Sequence, residues 1–92
     1  MATLEEAAKK EIVKMRKMMQ SLKVVEERKE EEQVKELKKL VDSYWTDAQH
    51  FLERKQFLEA FEAAVICWAY VDAGLHLGIF RIDSSLANLF TI

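Results

Sequence analysis

Residues 60–80 read AFEAAVICWAYVDAGLHLGIF, and they form the most apolar stretch of the 92-residue chain. From Ala63 to Phe80 the only formal charge is that of Asp72. A helix drawn through this stretch has apolar residues on every face. In a soluble protein such a helix is buried between neighbouring elements. We therefore predict a central helix near residues 57–77, against which the rest of the chain packs.

The composition of the chain favours an all-α fold. The sequence has no proline and only two glycines, while half of its residues are hydrophobic. Hairpin-rich β folds need glycine, proline and asparagine at their turns. A chain of this length makes one domain, so we treat residues 1–92 as a single unit.

Two amphipathic segments precede the central helix. Apolar residues spaced by three or four indicate one helical stripe in each segment. The first stripe consists of Leu4, Ala8, Ile12, Met15, Met19 and Leu22. The second consists of Val34, Leu37, Val41, Tyr44, Ala48 and Phe51. The capping box Thr3-x-x-Glu6 predicts that the first helix starts near Leu4, and we expect a break within residues 23–30.

These segments predict helices near 4–22, 31–54 and 57–77. They form an antiparallel up-down-up three-helix bundle with a short C-terminal helical segment. Asp83 or Ser84 would cap that segment, and Leu86, Leu89 and Phe90 would form its apolar face. The third helix is expected to bury Phe61, Val65, Trp68, Asp72, Leu75 and Ile79.

The tight connection between the second and third helices predicts two special positions. Lys55 stands where a left-handed residue would end the second helix, and Gln56 stands at the N-cap of the third. Gly78 is suited to end the third helix in the same left-handed way. Short connections of this kind join antiparallel helices.

Charge and cysteine content limit the classes of partner and compartment. Residues 1–43 carry a net charge of about +1 and residues 44–92 about −3, so neither half predicts nucleic-acid binding. Asp72 makes a membrane span from Ala63 to Phe80 costly, and we expect none. The single cysteine, Cys67, excludes an intramolecular disulfide and is expected to be buried and unreactive. We expect a cytoplasmic protein.

Searches for catalytic and metal-binding motifs give no candidate. The sequence contains no phosphate-binding glycine loop, no nucleophile elbow and no histidine–cysteine spacing typical of a metal site. We therefore assign no catalytic, cofactor-binding or metal-binding residue. Asp72 and His76 are four residues apart on one helical face, and a local ion pair is the simpler interpretation of that spacing.

Five residues are candidates for interaction or for fixing the helix register: Tyr44, Trp45, Asp47, Tyr70 and Asp72. Trp45 and Tyr70 lie off the apolar stripes, so each is either an exposed aromatic at a partner surface or is covered by the first helix or the tail. Asp72 falls on the expected core seam. We expect it to be mostly buried and bound from the second helix, with Lys39 as the closest cation.

A set of short motifs resembles one known family. The chain has Tyr44-x-x-Asp47-Ala48-x-x-Phe51-Leu52, then Ala60-Phe61-Glu62, then Asp72-Ala73-Gly74. This order and spacing, over about residues 40–80, resembles the archaeal domain-of-unknown-function family 357. The resemblance implies a three-helix bundle in an archaeal cytosol, with no assigned activity. The chain departs from the family pattern at Lys55, Gln56, Ile66 and Ala69.

Two hypotheses for function follow. The first is a non-enzymatic protein-interaction module that binds an unknown protein partner or forms a homodimer. The alternative is a small enzyme or a nucleotide- or nucleic-acid-binding domain that uses the carboxylates of Asp47 and Asp72 in a cleft. A core seam with only one charged residue favours the first.

Overall fold

The structure, a computed structural model, describes residues 3–89 and the side chains as far as Leu86. Three helices account for most of it, which confirms the all-α class. They are α1 (Leu4–Ser21), α2 (Glu32–Glu53) and α3 (Phe57–His76). Each helix begins and ends within about one residue of its expected bounds.

The helix breaks that were expected from the sequence are present. Thr3 caps α1, and its Oγ1 accepts a hydrogen bond from the backbone N–H of Glu6 at 3.1 Å. Between α1 and α2 the chain forms a short strand, β1 (Lys23–Val24), and a 3₁₀ turn, Glu26–Arg28. The predicted break is therefore confirmed.

A two-stranded antiparallel ribbon was not expected from the sequence. Strand β1 pairs with β2 (Phe80–Arg81), so that Lys23 lies opposite Arg81 and Val24 opposite Phe80. The backbone N–H of Val25 extends the pairing by donating to the carbonyl of Ile79 at 2.8 Å. The ribbon joins the chain that leaves α1 to the chain that leaves α3.

Helix α3 contacts both other helices, whereas α1 and α2 share only a small contact with each other. The buried residues of α3 are mostly small. We call them the small-residue stripe: Ala60, Ala63, Ala64, Cys67, Val71 and Gly74. Facing them, α1 buries Ala8, Ile12, Met15 and Met18, and α2 buries Val34, Val41 and Ala48. The stripes predicted for α1 and α2 supply most of these residues.

The stripe predicted for α3 was wrong within the helix, although Ile79, just after its end, is buried as expected. Val65, expected in the core, is 38% exposed. Val71, and not its neighbour Asp72, points into the core. The helix is rotated so that small side chains point inward, because small side chains allow neighbouring helices to approach closely. The larger residues Phe61, Trp68 and Leu75 are half-buried at the edges.

Both long helices end in the same local structure. After α2, the N–H of Lys55 donates to Leu52 at 3.0 Å and that of Gln56 donates to Phe51 at 2.9 Å. After α3, the N–H of Gly78 and that of Ile79 make the corresponding bonds. This is the Schellman motif, and it requires a left-handed residue after the helix. Lys55 (φ 60°) and Gly78 (φ 70°) occupy these positions, as predicted.

Arg28 ties the start of α2 to the end of α3. Its Nη1 donates to the carbonyl of Leu77 at 2.9 Å, while Nε and Nη2 bind the Glu31 carboxylate at 3.0 and 3.1 Å. A cation at a helix C-terminus is favourable because the last carbonyls carry partial negative charge. The contact closes the end of the fold at which the ribbon lies.

The C-terminal segment Ser84–Leu89 is a 3₁₀ helix. Asp83 caps it, since its Oδ1 accepts the N–H of Ser85 at 2.9 Å. The expected apolar contacts of Leu89 and Phe90 lie outside the described side chains. Among the helices of residues 3–89, none combines the length and the hydropathy that crossing a bilayer would require.

Replacing Lys55 with glycine should stabilise the protein. A left-handed backbone costs a residue with a Cβ atom roughly 1 kcal/mol, and glycine avoids this cost. For a domain of this size, about 1 kcal/mol corresponds to a rise in Tm of roughly 4–8 °C. Arg54→Gly is the matched control, because Arg54 has an ordinary φ of −85° and should lose stability. A drop in Tm for Lys55→Gly would show that the left-handed backbone at Lys55 carries no such cost.

Replacing Gly74 with alanine should destabilise the protein. A Cβ atom at this position would overlap the ring of Phe80, and such overpacking costs typically about 1–3 kcal/mol. On a Phe80→Ala background the same change should cost nothing, because the obstructing ring is gone. Urea unfolding in sulfate buffer, which keeps weakened variants folded, would measure both. Equal costs on the two backgrounds would show that the contact is unimportant.

Candidate functional site

The side of α3 that faces away from α1 and α2 is mostly apolar. We define its exposed residues as the outer face: Leu58, Glu62, Val65, Ile66, Ala69, Ala73, His76 and Leu77. Only two of these eight are polar. Leu58 is 48% exposed and Leu77 is 64% exposed. Among the described residues, four of the seven large hydrophobic side chains exposed to solvent belong to this face.

A soluble helix normally presents charged and polar residues on the side that faces solvent. Single exposed hydrophobic residues need no explanation, but contiguous groups mark sites of interaction. The outer face is contiguous, because its members recur every three or four residues along one side of the helix. It is therefore the strongest candidate for a functional surface in residues 3–89.

A stacked pair of tyrosines extends the outer face onto α2. The rings of Tyr44 and Tyr70 lie 5.7 Å apart between centroids and are inclined by 23°. Both are half-buried and pack against the core. Leu40, one turn before Tyr44 on α2, is 42% exposed, and Ile66 is one turn before Tyr70 on α3. Two of the five predicted residues are thus brought together beside exposed apolar side chains.

Trp45 lies on the other side of α2. It is half-buried and packs against the core, and the guanidinium carbon of Arg16 lies 6.0 Å from the centroid of its ring. Arg16 belongs to α1, so helix α1 partly covers this aromatic. A cation at this distance from an indole ring is attracted by its π electrons. Trp45 is consequently separate from the tyrosine pair and from the outer face.

The expectation for Asp72 was wrong. Its side chain is 39% exposed, and its partner is His76 of the same helix, with 3.4 Å between Nδ1 and Oδ1. No lysine of α2 binds it within the described structure. The reason is the rotation of α3, which turns Val71 toward the core and Asp72 toward the edge. The local pairing of Asp72 with His76 was predicted correctly.

Asp47 and Asp72 do not form a shared site. Asp47 is exposed on α2, three residues from Tyr44 in the direction of the turn. Asp72 lies two residues beyond Tyr70, away from the turn. Because Tyr44 and Tyr70 lie side by side, Asp47 and Asp72 are separated by roughly 7 Å along the helix axes. Within residues 3–89, no three potential ligands of a metal ion come together.

The outer face itself was missed by the sequence analysis, which placed Val65 in the core and did not single out Leu58, Ile66 or Leu77. A signal was present in the chain. The residues Ala60, Ala63, Ala64, Cys67 and Gly74 recur at helical spacing. Small side chains are compatible with a buried contact between helices. A rotation of α3 that buries these residues would have placed Leu58, Val65 and Ile66 on the solvent side.

A shallow depression of about 480 Å³ lies at the end of the fold near the ribbon. It is lined by Gln20, Ser21, Lys23, Arg81, Ile82 and Asp83. None of the five predicted residues lines it. Lys23, Arg81 and Asp83 supply the charged groups of its lining. The Ser21 hydroxyl already accepts the N–H of Asp83 at 2.8 Å. We assign no function to this depression.

Cys67 is the only potential nucleophile on the small-residue stripe. It is fully buried, and its Sγ lies 3.4 Å from the carbonyl oxygen of Val41, to which the thiol donates. Burial, with a smaller contribution from the charge of Asp42, raises the pKa of this thiol from 9.0 to about 12. A thiol in this state is a poor nucleophile, as expected from the sequence.

Native protein should therefore resist thiol reagents. At pH 8 the rise in pKa of about three leaves roughly a thousandfold less thiolate than an exposed cysteine would have, and burial blocks access as well. Labelling with an aromatic disulfide reagent, followed by absorbance, should be slow in buffer and complete in urea. The variant Val13→Cys, at a residue of α1 that is 49% exposed and lies away from the outer face, provides the positive control. Rapid labelling of the wild-type chain in buffer would contradict the prediction.

Comparison with known proteins supports the resemblance seen in the sequence. A family described as a protein of unknown function, DUF357, matches residues 5–80. This range includes all but the first residue of α1, all of β1, α2 and α3, and the first residue of β2. Neither the curated proteins nor the solved structures contain a match. The match is longer than the motifs of residues 40–80 and covers more than half of the chain. The chain therefore belongs to the DUF357 family of proteins of unknown function.

Proposed function

We propose that this protein is a non-enzymatic protein-interaction module that binds its partner through the outer face of α3. Its scaffold is an antiparallel up-down-up three-helix bundle with a short C-terminal helical segment, working in the cytoplasm. The observation that carries the proposal is the exposure of Leu58, Val65, Ile66 and Leu77 along one side of one helix.

The energetics support this use of the face. Burying apolar surface against a partner contributes about 25 cal/mol for each Å² removed from water. The fold does not need these side chains to be apolar, because they lie on the opposite side of α3 from the small-residue stripe. Charged residues at the same positions would keep the protein soluble at no cost to the core. The apolar residues are explained by a partner that covers them.

The tyrosine pair adds an edge suited to recognition. Tyrosine offers a large apolar ring with a hydroxyl that binds polar groups, and it is common at interfaces. Tyr44 and Tyr70 hold each other by stacking, so little side-chain freedom is lost when a partner binds. Asp47, exposed on the same edge of α2, supplies a charge at the rim.

The alternative function, an enzyme or nucleotide-binding domain that uses Asp47 and Asp72, finds less support. The two carboxylates point to different edges of the helix pair. The buried thiol of Cys67 has a raised pKa, which makes it less reactive and not a catalytic nucleophile. Neither half of the chain carries a basic excess that would attract a phosphate backbone.

A photo-reactive amino acid placed at Ile66 should capture a protein partner in cells that make the protein natively. The product would be detected as a protein-sized increase in mass on a denaturing gel. Val13 is a matched control, because it is an apolar residue on α1 with similar or greater exposure, 49% against 39%. We expect a discrete product at Ile66 and none at Val13.

Two results would contradict the proposal. One is the absence of any protein-sized product at Ile66. The other is the same set of products at Ile66 and at Val13, which would show general stickiness. A second copy of the chain and a different protein both count as partners in this experiment, because the proposal concerns the face and not the identity of its occupant.

A further inference from the structure

We infer that the partner of the outer face is a second copy of this chain, with the two α3 helices packed antiparallel about a two-fold axis at Ala69. The inference rests on the proposed function and names its partner. It is drawn from the order of residues along the outer face. When a second α3 runs in the opposite direction, its outer face presents complementary residues at each level. A two-fold interface requires this kind of self-complementarity.

The register follows from three residues in a line. Glu62 lies seven residues before Ala69, and His76 lies seven residues after it. Seven residues are close to two helical turns, so the three share one side of α3, at intervals of roughly 10 Å. All three are exposed. A two-fold axis through Ala69 brings Glu62 level with His76 of the partner subunit.

The side chains at the two ends of this line have complementary charges when His76 is protonated. The side chain of His76 is 77% exposed, and its Nδ1 lies 2.9 Å from the carbonyl oxygen of Asp72. This contact directs the ring and leaves Nε2 available. A His76 imidazolium donates its Nδ1–H to Asp72 and can donate its Nε2–H to the partner subunit's Glu62. Parallel packing in register would place Glu62 against Glu62 of the partner subunit, which is repulsive.

Side-chain size is complementary in the same register. Ala69 meets Ala69 of the partner subunit on the axis, where small residues allow the helix backbones to approach. Four residues away, Val65 lies level with the partner subunit's Ala73. Ile66 lies level with the partner subunit's Asp72, which is half-buried, and next to its Ala73. Larger side chains of one helix thus pack over smaller side chains of the other, twice in each dimer.

The size of the contact predicts a weak dimer. Two single helix faces bury less than the roughly 800 Å² per partner that is typical of a stable complex. The tyrosine pair and Leu40 lie at one edge of the outer face. They add to the buried contact area only if the two α3 helices of the dimer cross at an angle. We therefore expect self-association in the micromolar range and above, with rapid exchange of subunits.

Sedimentation equilibrium tests self-association directly. The purified chain has a monomer mass of 10.8 kDa, and its average mass should rise toward twice that value as the concentration increases from roughly 1 μM to 1 mM. Ala69→Glu places two carboxylates together on the axis and should weaken the dimer at least about tenfold. A monomer mass throughout this range would overturn the inference.

Cysteine cross-linking tests the register. Ala69→Cys should form a disulfide-linked dimer under mild oxidation, because the two positions meet on the axis. Ala73→Cys should not, because each residue 73 lies four residues from the axis and the pair is separated by roughly 12 Å along the helices, beyond the Cα spacing of a disulfide. The buried Cys67 stays reduced in both variants. Equal cross-linking of the two variants would contradict the antiparallel register.

A charge reversal tests the predicted ion pair. Glu62→Lys should weaken the dimer by roughly two- to fivefold, as expected for an exposed pair. Adding His76→Glu should restore the affinity, since the opposite charges then meet in reversed order. Each dissociation constant would be measured by sedimentation, with Tm as a check on folding. A double variant that is weaker than Glu62→Lys alone would show that these residues do not meet.

The outcomes separate this inference from the proposed function. If the purified chain is monomeric and Ala69→Cys does not cross-link, self-association is wrong. The interaction module would still stand if the photo-reactive residue at Ile66 captured a different protein. If Ile66 captures nothing in cells, the proposed function itself is wrong.

Discussion

Close packing against the small side chains of α3 is the constraint on which the rest of the structure depends. Both α1 and α2 pack against α3, whose buried residues are mostly small: Ala60, Ala63, Ala64, Cys67 and Gly74 among them. At such positions the helix backbones approach each other, and the core becomes thin and dense. Gly74 shows how tight the arrangement is, because the ring of Phe80 fills the space in which a Cβ atom would lie.

This constraint decides where the larger residues of α3 go. A helix that is apolar all round has no polar side to fix its rotation, and the rotation is set by the size of the side chains that its neighbours accept. Once the small residues face inward, Phe61 and Trp68 are placed at the edges, and Val65 and Ile66 face solvent. The outer face is therefore a direct consequence of the way in which the core is built.

The sequence predicted the parts of the fold that depend on local patterns. The stripes of α1 and α2 were mostly correct, because charged residues alternate with apolar ones and reveal the buried side, although Leu4 is exposed and Met18 is buried in place of Met19. The left-handed residues Lys55 and Gly78 followed from turn chemistry. The rotation of α3 could not be read from the alternation of polar and apolar residues, because its polar residues are too few, and only the spacing of its small residues indicated it. The ribbon was also missed, since strands of two residues have no alternating pattern.

The candidate site was predicted in part for the same reasons. Tyr44 was expected on the stripe of α2 and Tyr70 off the stripe of α3, and the structure stacks their rings. Asp72 was assigned to the core together with the wrong rotation of α3, and its burial and partner were wrong as a result. An error of one position in the phase of a helix, about 100°, thus changes which residues can form a site.

The ribbon also has a consequence for the order of folding. Its strands β1 and β2 are separated in sequence by the whole of α2 and α3, whereas α2 and α3 are neighbours in sequence and meet through a three-residue turn. Contacts that close short loops form early, and those that close long loops form late. We expect the α2–α3 pair to fold first and α1 to dock last, when the ribbon pairs. A newly made chain would thus pass through a stage at which the small-residue stripe is covered on only one side.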